Sequence, residues 1–206
     1  MRKLLYAAFA ALCPLGHFSA RAQIVPEQPR VVSTHAEGVT TPQLSYLLPE
    51  PLIVPRYMHS GYFHKERRTI DTIVLHSSYN ALGGDPYSVS AIIAIYTRLG
   101  VSSHYIIDRD GVIYQLVPDN DVSYHCGISR MPEPDGRTEV NLFSIGIELV
   151  GGVDDRFTEP QYVSLQALIV RLKQHYPISH VVSHGEVAPE RRTDPWNLDW
   201  QRVWSW

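Results

Sequence analysis

Apolar and polar positions along the chain fall into blocks with two different periods. Ile70 to His76 is a nearly continuous apolar run, the pattern of a central strand covered on both faces. Tyr79 to Pro86, with Gly83-Gly84 and Asp85-Pro86, reads as a loop. Beyond it Val89, Ile92, Ile93, Tyr96 and Leu99 recur at helical spacing, and these positions read as core only. Asp85 or Ser88 is the expected cap, Pro86 suits the first turn, and Gly100 ends the helix. Ser103 to Ile107 and Val112 to Val117 are two strands joined at Asp110-Gly111, a hairpin turn signal.

Ser144 to Val150 alternates. Ile145, Ile147 and Leu149 point one way, and Gly146 and Glu148 the other, which sets a carboxylate on the face opposite an apolar row. Thr158-x-x-Gln161 is a capping box, and Tyr162, Leu165, Leu168, Ile169 and Leu172 form the apolar stripe of the helix it opens. A last strand, Ser179 to Ser183, delivers His184. These blocks predict an α/β (mixed α+β) single domain: a central mixed sheet of about five strands flanked by two or three helices.

The first residues change that picture by adding a leader. Met1-Arg2-Lys3 is basic, Leu4 to Leu15 is largely apolar, and Ala20-Arg21-Ala22 offers a small-residue cleavage site, so residues 1–22 read as a signal peptide and Gln23 as the mature start. Leu12 stands where lipidation at Cys13 needs a small residue, which argues against a lipoprotein. Residues 23–60, with six prolines from Pro26 to Pro55, read as a Pro-rich arm whose Leu52-Ile53-Val54 can dock on the domain; residues 61–206 are the domain itself. His59 and His64 fall in a polar stretch and are expected to be exposed.

A net charge of -3 carries no basic footprint, which disfavours nucleic acid as a partner. Beyond the leader no apolar run is long enough to span a bilayer. Removing the leader removes Cys13 and leaves Cys126 without a disulfide partner, so Cys126 reads as a small buried hydrophobe.

Candidate chemistry gathers at strand ends. His184 follows Val181-Val182 as if emerging from a buried strand, Asp194 is held by Pro195, and His76 ends the first apolar run. Histidine and aspartate are good zinc ligands. Taken singly, each of these segments is equally at home as ordinary structure.

Taken together, four ordered segments resemble a known family. They are Thr72-Ile73-Val74-Leu75-His76, Ser103 to Gly111, Ser144-Ile145-Gly146-Ile147-Glu148-Leu149, and His184 to Pro195. Their order resembles that of the zinc-dependent N-acetylmuramoyl-L-alanine amidases, which include bacterial anhydromuropeptide amidases, T7-type phage lysozyme and the peptidoglycan recognition proteins. The likeness runs from Arg68 to Trp200. It implies a peptidoglycan recognition protein-like fold with Zn2+ held by His76, His184 and Asp194, which would add to the stability of a chain without disulfides. The aspartate sides with the bacterial anhydromuropeptide branch, in which Glu148 matches the general base.

The same resemblance puts Arg192 where the family usually has a carbonyl-polarising lysine, Trp196 where glycine usually follows Asp-Pro, and Ser78 where threonine is common. His104 and His125 match family histidines near the cleft, with ligand-orienting, substrate-binding and structural roles all open. His175 and His180 are expected to have no role. The implied reaction is hydrolysis of the amide between N-acetylmuramic acid and L-alanine in peptidoglycan or muropeptides, by an exported protein of the periplasm or cell envelope. Two rival readings are a recognition module that binds muropeptide without cutting it and a secreted amidase toxin aimed at competitors' walls.

Overall fold

The computed structural model describes residues 50–205. The signal segment 1–22 and most of the arm, up to residue 49, lie outside these described residues, as does Trp206.

The described residues form eight strands: β1 Ile53–Pro55, β2 Tyr62–Phe63, β3 Thr72–Ser78, β4 Tyr105–Ile107, β5 Ile113–Gln115, β6 Val122–Ser123, β7 Ser144–Val150 and β8 His180–Ser183. The helices are α1 Val89–Leu99, α2 Glu159–His175 and the short α3 His184–Val187 and α4 Trp200–Val203, with a 3-10 turn over Val140–Phe143 leading into β7. Six strands form one mixed sheet in the order β1-β5-β4-β7-β3-β8; β2 and β6 form a separate two-stranded ribbon. Only the β4–β5 hairpin is antiparallel within the large sheet.

The sheet exceeds the expected five strands because β1, from the end of the Pro-rich segment, pairs with β5. Pro55 is tolerated there because β1 is an edge strand, where a missing N–H disrupts no second ladder. Strands β2 and β6 have two residues each, too short to show a period.

Local chemistry fixes the helix ends. Ser88, not Asp85, caps α1 through its hydroxyl, and Gly100 closes it in the left-handed conformation at φ 66°. Thr158 and Gln161 form the reciprocal capping box of α2, with Pro160 in its first turn.

The two seven-residue strands β3 and β7 lie side by side, parallel, in the middle of the sheet. Ile73 and Leu75 of β3 and Ile145, Ile147 and Leu149 of β7 pack into one core with Tyr162, Leu165, Leu168 and Ile169 of α2. On the other face, Val74 packs with Cys126, Met131, Val140 and Val187. Ile106 and Val150 join Val89, Ile92 and Tyr96 of α1 in a third cluster. Burying these clusters commits one face of β3 and β7 to α2 and leaves His76 and Glu148 together on the other. Among the described residues no helix is long and apolar enough to cross a membrane.

Candidate metal centre

Three strand registers assemble the site. His76 pairs with Glu148 across β3 and β7, and Leu75 pairs with Ser183 across β3 and β8, so His184 emerges beside His76. Ser183 caps α3 with Glu186 in a capping box, which turns the chain sharply at His184. The loop that follows is tied back by Gly185 N–H donating to the Asp194 carbonyl (2.9 Å) and by Trp196 N–H donating to Ser77 Oγ (3.3 Å). Those ties set the Asp194 carboxylate against both histidines.

Asp194 Oδ2 lies 3.1 Å from His184 Nδ1 and 3.6 Å from His76 Nδ1, and the two imidazole centroids are 4.4 Å apart. All three side chains are buried. Tetrahedral zinc with bonds of about 2.0–2.1 Å sets its ligand atoms roughly 3.3 Å apart, which these separations match. The triad can therefore hold a cation at the Nδ1, Nδ1 and Oδ2 atoms. A second group, His76, His125 and Cys126, also lies close enough to be considered. It shares His76 through the opposite ring nitrogen, at 3.0 Å to His125 Nδ1, and those atoms are spaced as hydrogen-bond partners.

Electrostatics separate the two carboxylates of the site. Burial pushes Glu148 up to about 8, helped by the nearby Asp194 charge and opposed by hydroxyls of Tyr96 and Ser78 and by Arg192. Burial acts in the same upward sense on Asp194, but the hydrogen bond with His184 and the adjacent His76 outweigh it and hold that carboxyl well below the usual range. Burial and the neighbouring His184 draw His76 down to about 4, so its ring is neutral, as a metal ligand must be.

Glu148 is 8% exposed, and its Oε2 is buried with no hydrogen-bond partner among the described residues. An orphaned buried carboxylate oxygen is unfavourable unless a function retains it. Tyr96, read from sequence as core alone, donates its hydroxyl to Ser78 Oγ (2.8 Å), and both hydroxyls favour the charged form of Glu148. A tyrosine at a core position of an amphipathic helix was the available signal, since a buried hydroxyl seeks a partner.

Arg192 is half-buried, and its charge reaches His76 and Glu148, while it makes no side-chain hydrogen bond or ion pair among the described residues. Arg191, one residue earlier, is committed instead to the carbonyls of Cys126 and Ile128. Trp196 places its ring 6.2 Å from that of Tyr79, an aromatic pair on the chain segments just beyond Asp194 and His76.

His104 and His125 sit behind the metal-facing atoms. His104 is fully buried; Gly146 N–H donates to its Nδ1 (3.0 Å) and its Nε2 lies 3.1 Å from the Asp121 carbonyl, so backbone occupies both ring nitrogens. His125 is packed edge-on against His76. Both side chains are buried. Gly146 explains the gap in the β7 alternation: a Cβ there would lie 2.6 Å from His125 Cγ, closer than real contacts allow. His59 and His64 are exposed, His64 bonding Asp121.

The comparisons with known proteins agree with this geometry. The model of the family described as N-acetylmuramoyl-L-alanine amidase matches residues 66–197, which include every residue of the triad and Glu148. The chain belongs to this amidase family. The 1,6-anhydro-N-acetylmuramyl-L-alanine amidase AmpD of Haemophilus influenzae is 39% identical over 112 residues, covering 52% of this chain and 59% of that protein. The chain thus spans little more than half the length of such curated relatives. A crystal structure of a selenomethionine AmpD derivative superposes with a TM-score of 0.62 at 32% identity, covering 77% of this chain and 94% of that one. AmiD of E. coli, solved with the substrate anhydro-N-acetylmuramic acid-L-Ala-D-gamma-Glu-L-Lys, gives a TM-score of 0.56 at 27% identity, covering 69% and 64%. The mixed α/β architecture of this chain is the one these relatives share.

Proposed function

We propose that the protein hydrolyses the amide between the lactyl group of N-acetylmuramic acid and L-alanine in peptidoglycan or muropeptides, with zinc held by His76, His184 and Asp194. The observation that carries this reading is the pairing of that triad with Glu148, whose unpartnered Oε2 stands on the next strand. When bound, zinc supplies Lewis acidity at the scissile carbonyl and acidifies water beside it.

The protein's own groups account for the rest. Glu148, raised toward neutrality by burial, accepts a proton from the attacking water and returns it to the departing alanyl nitrogen. Arg192 offers a free positive charge to the carbonyl oxygen as negative charge develops there. Tyr96 and Ser78 orient Glu148 through their hydroxyls. Buried walls behind the triad keep bulk water from competing for these groups. The recognition-only reading is disfavoured because a module that merely binds has no use for an orphaned carboxylate beside a complete ligand set.

The substrate complex recorded for AmiD supports a muropeptide as the substrate class. The leader pattern of residues 1–22 supports export to the periplasm or cell envelope, with Gln23 as the mature N-terminus. N-terminal sequencing of the native protein checks that part; a cytosolic species retaining Met1 contradicts it. The activity is tested by incubating the zinc-reconstituted protein with a defined muropeptide. Release of a peptide with a free L-alanine amino group supports the reading, and an uncut muropeptide overturns it.

A further inference from the structure

The parallel strands β3, β7 and β8 end on the same edge of the sheet, and that carboxyl edge carries the candidate metal centre, as is usual for ligand sites in open α/β sheets. Two aromatic rings lie just beyond it. Tyr79 directly follows β3, three residues after His76, and Trp196 stands two residues after Asp194. Those steps span at most about 11 Å and 7 Å of chain. The ring centroids are 6.2 Å apart with planes at 65°, an edge-to-face pair. Neither ring is covered by the fold: Tyr79 is 37% exposed and Trp196 is half-buried.

Trp196 is held from several sides. Its backbone N–H donates to Ser77 Oγ, and its indole N–H donates to Thr193 Oγ1 at 3.1 Å. The next residue, Asn197, is left-handed at φ 55°, and its Nδ2 donates to the carbonyls of Val153 (2.8 Å) and Asp155 (3.0 Å). The indole has spent its one donor inside the loop, so what it offers a ligand is its π face. Tyr79 keeps a polar tip, since its hydroxyl has no hydrogen-bond partner among the described residues. The charge beside the pair is negative. Gly152 lies between them: a Cβ there would stand 3.9 Å from Tyr79 Cγ and 3.3 Å from the Asp155 carboxylate, which accepts from Gly152 N–H and the Tyr87 hydroxyl.

We propose that Trp196 and Tyr79 form an aromatic platform on which the pyranose ring of the muramyl half of the substrate rests, making them specificity-determining residues for the sugar side of the scissile amide. The two halves of a muropeptide differ in charge. The stem peptide carries carboxylates, which Asp155 repels, whereas the pyranose is uncharged and presents C–H faces and hydroxyl groups. A π face takes the C–H side of such a ring, and the Tyr79 hydroxyl is placed to meet a sugar hydroxyl. The short lactyl ether keeps the pyranose near the carbonyl that is attacked, which matches a platform a few residues from two of the metal-site side chains. Rings already fixed by their own loop lose little freedom on binding. The proposal rests on the amide-hydrolysis reading for its substrate.

Kinetics and binding of the two substrate halves test it. In the zinc-loaded protein, Trp196→Ala should raise KM for a defined muropeptide about 10-fold and leave kcat within about twofold. Affinity for N-acetylmuramic acid alone, read by NMR titration, should fall by a similar factor, while affinity for the free stem peptide stays unchanged. Trp196→Phe, which keeps a π face, should retain most of the sugar affinity. Unchanged sugar affinity in Trp196→Ala overturns the platform, as does an equal loss for sugar and peptide, which marks a general loosening of the site. Equal losses in the alanine and phenylalanine variants, or no binding of N-acetylmuramic acid by the unsubstituted protein, also overturn it. A muropeptide left uncut by the unsubstituted protein removes the hydrolysis reading instead, and the sugar affinities still decide the platform. Where Trp196→Ala fails to fold, Tyr79→Ala, at an exposed position, decides by the same comparison of sugar and peptide.

Discussion

His76 and Glu148 are register partners on adjacent parallel strands, and both side chains leave the sheet on the face turned away from α2. The pairing is set by backbone hydrogen bonds at the centre of the sheet, so a metal ligand and a proton acceptor are held side by side by the stiffest part of the fold. Nothing in that placement depends on a loop.

Replacing Glu148 by Gln keeps the shape and removes proton acceptance. General-base catalysis typically contributes about 10²–10⁴-fold, so turnover should fall by that range while zinc content stays at the unsubstituted level. Metal analysis beside steady-state rates checks both halves; near-normal turnover in the zinc-loaded variant rules out the role.

Tyr96 supplies a pH test. Its hydroxyl lowers Glu148 by favouring the charged carboxylate, against burial, which raises it. Tyr96→Phe removes that help, so the Glu148 pKa should rise. The active form is the deprotonated one, and the acid limb of the pH–rate profile should therefore move to higher pH, with zinc content unchanged. A limb that stays in place or moves to lower pH separates Tyr96 from Glu148.

Removing the cation should abolish activity, and restoring zinc should return it. His184→Ala leaves two ligands of the triad, and catalytic zinc usually needs three. Bound metal in His76→Ala, His184→Ala and Asp194→Ala, measured by atomic absorption, should drop far below one per chain. Full occupancy in all three contradicts the site.

Arg192 makes no side-chain hydrogen bond or ion pair among the described residues, and its charge is felt at His76 and Glu148. Donors aimed at a developing oxyanion are worth roughly 10²–10³-fold, and Arg192→Ala should lose turnover on that scale with fold and zinc intact. Arg192→Lys should recover much of it by returning the charge, though not the planar fork. Equal rates in the unsubstituted and alanine proteins make Arg192 an ordinary surface residue.

What the sequence disclosed follows from which signals are local. The β7 alternation marked Glu148 as lying opposite an apolar row, and the strand spans Ser144–Val150 as that pattern predicts. The Thr158 capping box and the Gly100 stop are complete within a few residues, and both were legible for that reason. Strand β1 was not, since three residues ending in proline carry no period and pair only because β5 offers an edge.

The site divides along the same line. His76 lies within β3, His184 directly follows β8 and Asp194 sits in a loop, and all three belong to segments whose order carries the family likeness. The Tyr96–Ser78, His76–His125 and Ser144–His125 contacts depend on side chains packed across 18, 49 and 19 positions of sequence, and no local pattern encodes such contacts. His104 and His125 match family positions, but their burial and their contacts with Gly146 and His76 exist only in the folded chain.

The proposed reaction breaks one bond, between the muramyl lactyl carbonyl and the alanyl nitrogen, with water. Hydrolysis of a defined muropeptide by the zinc-loaded protein in oxygen-18 water, followed by mass spectrometry of the products, tests it most directly. One heavy oxygen is expected in the carboxylate of the muramic acid product and none in a peptide that begins with free L-alanine. Label in the peptide fragment, cleavage at any other bond, or intact muropeptide in the presence of zinc would contradict it.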